Sequence, residues 1–198
     1  MTGYSDRINH AFAFAAKHHD QQVRKGTRLP YLTQPANVAV ILTRYGCSDD
    51  AVVAGILHDV IADCVRESWT RATLDERIGR KFGMNVLEMV LSVTQRRSDD
   101  EGVELSADDR KHDAIERLAH ATPEALWVCA ADTVHNANSI LSDLRRTSFP
   151  ETVWGRFAAG REGTARYYAR VADRLRELGF TAPIVDELAA AAAELAQA

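Results

Sequence analysis

A histidine and an aspartate stand side by side at the end of an apolar run, Gly55-Ile56-Leu57-His58-Asp59, and a second carboxylate, Asp63, follows four residues later. Imidazole and carboxylate side by side are groups that a divalent metal takes as ligands, so the pair points to a buried metal site. An apolar run that delivers a polar pair carries it toward the interior, where it needs partners. A second set lies downstream. Asp132, Asn136 and Ser139 recur at helical spacing with His135 beside them, just after the apolar stretch Trp127-Val128-Cys129-Ala130-Ala131. Two apolar helices with polar stripes would face one another across something polar. A divalent cation would satisfy both, and so would a hydrogen-bonded core cluster.

The elements that must position these side chains read almost entirely as helix. Ile8, Phe12, Ala15 and Ala16 share a face of a helix over about residues 6–19. Val23 to Gln34 is polar, basic and broken by Gly26 and Pro30, and reads as a loop. A helix is expected from Pro35 to just before Gly46, and another from Asp49 to Ile61. Thr73-Leu74-Asp75-Glu76 has the form of a capping box opening a short helix that ends near Gly83. Helix continues over residues 84–94. The polar stretch Arg96 to Ser106 is expected to be a long loop and a candidate lid, followed by helix from Ala107 to Ala119. Thr122-Pro123-Glu124 starts a helix reaching Arg145. Pro150 opens another toward Leu178, with a break near Gly160 or Gly163, and Val185 to Ala198 forms a terminal helix. The fold class expected is all-α, with one domain over residues 6–180 and a helical tail over 181–198.

Composition narrows the function classes. The 198 residues are 46% hydrophobic, enough for a full core, and the net charge of −4 gives no global reason to expect nucleic acid or a membrane surface as partner. No apolar run approaches the roughly 18 residues that cross a bilayer. The N-terminal Met1-Thr2-Gly3-Tyr4-Ser5-Asp6 lacks the pattern of a signal peptide. Cys47, Cys64 and Cys129 are scattered and odd in number, so the expected location is a reducing cytoplasm. The sequence leaves a homo-oligomer open.

The ordered set of motifs resembles the HD superfamily of metal-dependent phosphohydrolases, and within it the alarmone hydrolases: the hydrolase domain of the RelA/SpoT proteins and the small free-standing members. Arg24-Lys25-Gly26-Thr27 with Pro30-Tyr31-Leu32-Thr33 looks like the family's basic loop. Ala54 to Asp59 matches its central motif, and Ala130 to Asn136 its late aspartate motif. Trp154 to Tyr168, with Gly160-Arg161-Glu162-Gly163, looks like the C-terminal signature of the small members. The resemblance implies an all-helical bundle holding one divalent ion, manganese first among the choices. It implies removal of the 3′-pyrophosphate from guanosine tetra- or pentaphosphate, or action on a related nucleotide. Carried over residue by residue, the metal ligands are His58, Asp59 and Asp132, the catalytic carboxylate is Asp63, and Arg24, Lys25, Asn136 and Ser139 contact the nucleotide. On residue chemistry alone, Arg24, Lys25 and Arg28 would read as a solvated loop.

Two positions depart from that pattern. Gln34 stands where the family has its first metal histidine, and an amide is a poor substitute for imidazole on such metals. Ala62 stands where the family has a glutamate that helps to activate water, and alanine neither moves a proton nor accepts a hydrogen bond. Both changes point to weakened activity. Three readings follow: a working phosphohydrolase, a nucleotide-binding module that hydrolyses slowly or not at all, and a helical interaction protein with a relict pocket. His18, His19, His112 and His120 are expected at the surface or at helix ends, with His19 a structural candidate.

Overall fold

The structure, a computed structural model, describes residues 3–65 and 69–198. Met1 and Thr2, part of the N-terminal stretch read above, lie outside the described residues. The described residues form helices α1 (Asp6–His18), α2 (Thr33–Arg44), α3 (Asp49–Leu57), α4 (Val60–Asp63), α5 (Arg71–Phe82), α6 (Met84–Val93), α7 (Ala107–Arg117), α8 (Pro123–Arg145), α9 (Pro150–Trp154), α10 (Gly160–Glu177) and α11 (Pro183–Gln197). None of them is long and apolar enough to cross a membrane.

Helix α8 is the axis of the bundle. Helices α2, α3, α6, α10 and α11 pack on it. It starts as its sequence directs, with the Thr122 hydroxyl accepting from the Ala125 amide at 3.2 Å and Pro123 in the first turn. Helix α3 is buried along its whole inner length from Ala51 to Leu57. A Cβ on Gly55 would come within 2.5 Å of the Leu42 side chain, so glycine is what lets α3 approach α2. Leu42 itself is fully buried. Leu42→Ala is therefore expected to cost about 2–5 kcal/mol, read as a lower urea midpoint at unchanged slope. The terminal helix α11 buries Ile184, Val185, Leu188 and Leu195 against α10 and α8.

Three boundaries differ from the sequence expectation by packing or capping. Helix α2 begins at Thr33 rather than Pro35, which places Gln34 in its first turn, 1% exposed. The helix expected to run from Asp49 to Ile61 stops at Leu57. There the His58 ring donates from Nδ1 to the Gly55 carbonyl at 2.8 Å, the acceptor that the Asp59 amide would use in a continuing helix. The chain turns through His58 and Asp59 and resumes as α4. The cap of α5 is Thr70, whose hydroxyl accepts from the Thr73 amide at 3.2 Å; Thr73 lies inside the helix. The segment opened by Pro150 breaks near Gly160, as expected: it divides into α9 and α10, with the break over 155–159 and a positive φ at Gly160.

Two loops matter for the site. The basic loop doubles back on itself through a bridge between Val23 and Pro30. Gly26, at a φ of +75°, lies so close to the Arg156 side chain that a Cβ would collide with it. The segment 96–106 is a small hairpin. Leu105 donates to the Arg97 carbonyl at 2.8 Å, and Asp99 to the Val103 carbonyl at 3.0 Å. Arg96 anchors it to Asp113 on α7.

Candidate functional site

The turn between α3 and α4 aims His58 Nε2 at α8. That atom lies 3.3 Å from Asp59 Oδ2 and 3.3 Å from Asp132 Oδ1. His58 is 5% exposed. Because Nδ1–H is committed to the Gly55 carbonyl, Nε2 is the atom presented to the carboxylates. The three side chains that the sequence assigned to a metal thus converge. Burial disfavours charge on His58, but Asp59 and Asp132 outweigh it and raise its pKa well above the ordinary imidazole value. Burial likewise opposes ionisation of Asp59, yet the His58 charge and the hydrogen bonds from His58 and Tyr31 hold its pKa below the usual range.

Gln34 closes the fourth side. Its Nε2 donates to Asp132 Oδ1 at 2.5 Å and lies 3.4 Å from His58 Nε2. Its Oε1 is buried with no hydrogen-bond partner. The amide therefore presents an N–H where a metal needs a lone pair. Among the described residues, no group of three or more His, Cys, Asp or Glu side chains is set as a ready cation cage. The donor chemistry of His58, Asp59 and Asp132 fits a divalent ion. The orphaned Gln34 oxygen would fit as well if the amide turned over, because the same half-turn removes the N–H from the centre.

Tyr31 is the residue that sequence reasoning passed over, although it sits within the quoted motif. Its hydroxyl lies 2.7 Å from Asp59 Oδ2 and 2.8 Å from Asp63 Oδ2, and so ties the metal-side carboxylate to the catalytic candidate. Burial, followed by the two carboxylate charges, pushes its own pKa up, so it remains a donor. Burial and the Asp59 charge also raise Asp63 above the usual carboxylate value. The Tyr31 ring stacks on His19 at a centroid distance of 4.6 Å, and His19 Nδ1 meets Gln22 Oε1 at 2.6 Å. His18 and His19, the last residue and the C-cap of α1, stand at a helix end as expected, but buried, 4% and 3% exposed, and not at the surface. His19 supports the ring whose hydroxyl organises the two aspartates. Tyr31→Phe keeps that stack and removes the hydroxyl. It is expected to lower turnover by about 10–100-fold with a smaller change in KM, measured by steady-state kinetics.

On one side of this cluster lies a cavity of about 400 Å³ whose lining includes Arg24, Lys25, Tyr31, Asn136, Ser139 and Arg156. All four residues assigned to the nucleotide by sequence are among them. Asn136 donates to Asp132 Oδ1 at 2.7 Å and accepts from Arg24 at 3.2 Å, linking the basic loop to the polar stripe of α8. Arg156, held by Asp143 at 2.6 Å, lines the cavity with Phe157 and Tyr168 and packs against Gly26 of the basic loop. No role was read for Arg156 from sequence, because nothing in its local pattern shows that the chain after α9 returns to face residues 24–27.

A helical bundle with a histidine–aspartate turn facing an aspartate-bearing helix defines the class to which the site belongs. A family profile described as HD domain matches residues 11–165. The chain belongs to the HD-domain family of phosphohydrolases. It is 37% identical over 149 residues to the guanosine-3′,5′-bis(diphosphate) 3′-pyrophosphohydrolase MESH1 of Mus musculus and to that of Homo sapiens, a match spanning 74% of this chain and 74% of each relative. The solved structure of a metazoan ortholog of SpoT, described as hydrolysing ppGpp, aligns with a TM-score of 0.70 at 26% identity, over 100% of this chain and 97% of that one. A protein from Listeria monocytogenes aligns with a TM-score of 0.68 at 27% identity, over 83% of this chain and 99% of that one.

Proposed function

We propose that this chain is a metal-dependent phosphohydrolase that removes the 3′-pyrophosphate from guanosine tetra- or pentaphosphate, or from a closely related nucleotide, with weakened activity. One observation carries the reading. The His58, Asp59 and Asp132 cluster is hydrogen-bonded, through Tyr31 and Asn136, to the wall of a cavity that also carries Arg24 and Lys25. A divalent ion held by His58, Asp59 and Asp132, manganese for preference, would supply Lewis acidity and an acidified water. Mixed imidazole and carboxylate donors suit that ion.

The chain's own residues do the rest. An arginine face can stack on a base while lysine offers a point charge to phosphate, which gives Arg24 and Lys25 complementary tasks. Asn136 and Ser139 orient the sugar side from α8. In the reaction a water oxygen bonds to the phosphorus next to the ribose 3′-oxygen. The bond from that phosphorus to the 3′-oxygen breaks, its electron pair stays on the oxygen, and a proton from the water ends there. Asp63 is the group we assign to take the water proton, and the burial and Asp59 charge that raise its pKa strengthen it as a base. The hydroxyl of Tyr31 fixes its orientation. Ala62 beside it contributes no second acceptor.

The three scattered cysteines, Cys47, Cys64 and Cys129, odd in number and in no C-x-x-C arrangement, support placement in a reducing cytoplasm. The N–H that Gln34 directs at Asp132 favours a second reading, a nucleotide-binding module with little hydrolysis. A panel of pyrophosphorylated nucleotides assayed with manganese, beside Asp59→Ala, separates the two. Pyrophosphate release that depends on Asp59 supports the hydrolase. Thermal stabilisation by nucleotide without release supports the module.

A further inference from the structure

A second and larger cavity, about 720 Å³, is lined in part by Asp63. Its lining includes Ala62 and Asp63 of α4, together with five arginines from three other segments: Arg71 of α5, Arg96 and Arg97 of the hairpin, and Arg110 and Arg117 of α7. The nucleotide cavity and this cleft meet at the hydrogen bond between Tyr31, which lines the first, and Asp63, which lines the second. We propose that this arginine-lined cleft is a diphosphate site that receives the leaving pyrophosphate, an assignment that rests on the hydrolase reading above.

The charge distribution supports an anion rather than a structural network. Some of the arginines are committed. Arg96 pairs with Asp100 and Asp113, Arg71 lies 3.6 Å from Asp75, and Arg117 donates to the carbonyls of Thr94 and Leu91 at 3.0 Å each. Arg97 and Arg110 form no ion pair among the described residues, and Arg110 Nε is buried without a hydrogen-bond partner. Among the described residues the ion pairs of these five guanidiniums use only Asp75, Asp100 and Asp113. The crowding is felt at Arg117, whose pKa is lowered by burial and then by the charges of Arg96 and Arg71. A guanidinium fork binds two oxygens of a phosphate at once, so the unpaired pair is suited to a dianionic or trianionic group.

Position supports the product over other anions. A nucleoside seated by Arg24 and Asn136 has its reacting phosphorus at the cluster, and departure away from the ribose leads past Asp63 into the cleft. Ala62 widens that exit and adds no negative charge to its wall. A carboxylate there would repel the product.

The experiment titrates inorganic pyrophosphate onto the nucleotide-free full chain by calorimetry, with orthophosphate and GDP as separate arms. The variants are Arg97→Ala with Arg110→Ala, and the milder Arg97→Gln with Arg110→Gln in case the first does not fold. Pyrophosphate is expected to bind more tightly than orthophosphate, and the double variants to weaken it on the order of 10–100-fold while GDP binding is unchanged. Product inhibition by pyrophosphate should fall in parallel. Equal affinity for orthophosphate, unchanged pyrophosphate binding in the folded variants, or parallel loss of GDP binding would overturn the assignment. Failure of the hydrolase reading looks different: no nucleotide is cleaved by the wild type, whatever pyrophosphate does.

Discussion

The double substitution Gln34→His with Ala62→Glu is expected to raise metal content and hydrolysis together. In the present site the Gln34 amide nitrogen donates to Asp132, so a cation must displace that N–H before it can use the carboxylate. A histidine at the same buried place in the first turn of α2 would bring a lone pair instead. Disturbing even the outer partners of a metal typically changes affinity by about 10–100-fold, and a direct ligand should count for at least as much. A glutamate at position 62 adds a second acceptor beside Asp63, in a role worth about 10²–10⁴-fold. The measurements are metal per chain by elemental analysis and pyrophosphate release from guanosine tetraphosphate. A variant that folds and binds metal but hydrolyses no nucleotide would show that the pocket has diverged beyond these two positions. Because Ala62 also lines the arginine cleft, the same variant should bind free pyrophosphate less tightly than the parent.

Asp59→Ala carries the largest expected loss. Asp59 touches both halves of the machinery, His58 Nε2 at 3.3 Å and the Tyr31 hydroxyl at 2.7 Å. Its removal takes away a ligand, releases the hydroxyl that orients Asp63, and leaves the buried His58 charge with Asp132 alone. Hydrolysis is expected to fall below detection, at least about 10³-fold, with metal content falling in parallel. Asp59→Asn is the informative companion. It keeps an oxygen facing Tyr31 but loses the charge, so it should retain the fold while losing metal. Loss of metal without loss of activity in either variant would remove Asp59 from the proposed mechanism.

Much of this molecule was legible before any coordinates. The long α8 helix was readable at both ends because its cap, its proline and its apolar pattern are all local. The facing of His58-Asp59 and Asp132 was readable because two apolar helices with polar stripes have few ways to bury both. The start of α2 and the cap of α5 were misplaced by two and three residues: α2 opens with no side-chain cap to mark it, and α5 is capped by Thr70, one turn before the Thr73 that the capping-box pattern singled out. The break after Leu57 was missed for a different reason. The apolar run continues through Val60 and Ile61, and nothing in it announces that the His58 ring will take the Gly55 carbonyl.

The chain by itself determined which groups are available: one imidazole, three carboxylates, a basic loop, and an amide and a methyl at two positions where chemistry would ask for more. Helical periodicity then assigned them to faces, because a 3.6-residue repeat is a property of consecutive residues. Tertiary structure alone decided that the amide points its nitrogen inward, that Tyr31 joins two aspartates distant from it in sequence, and that five arginines from three segments line one cleft. Those are orientations and meetings between segments, and they follow from how whole helices pack, which no local pattern records.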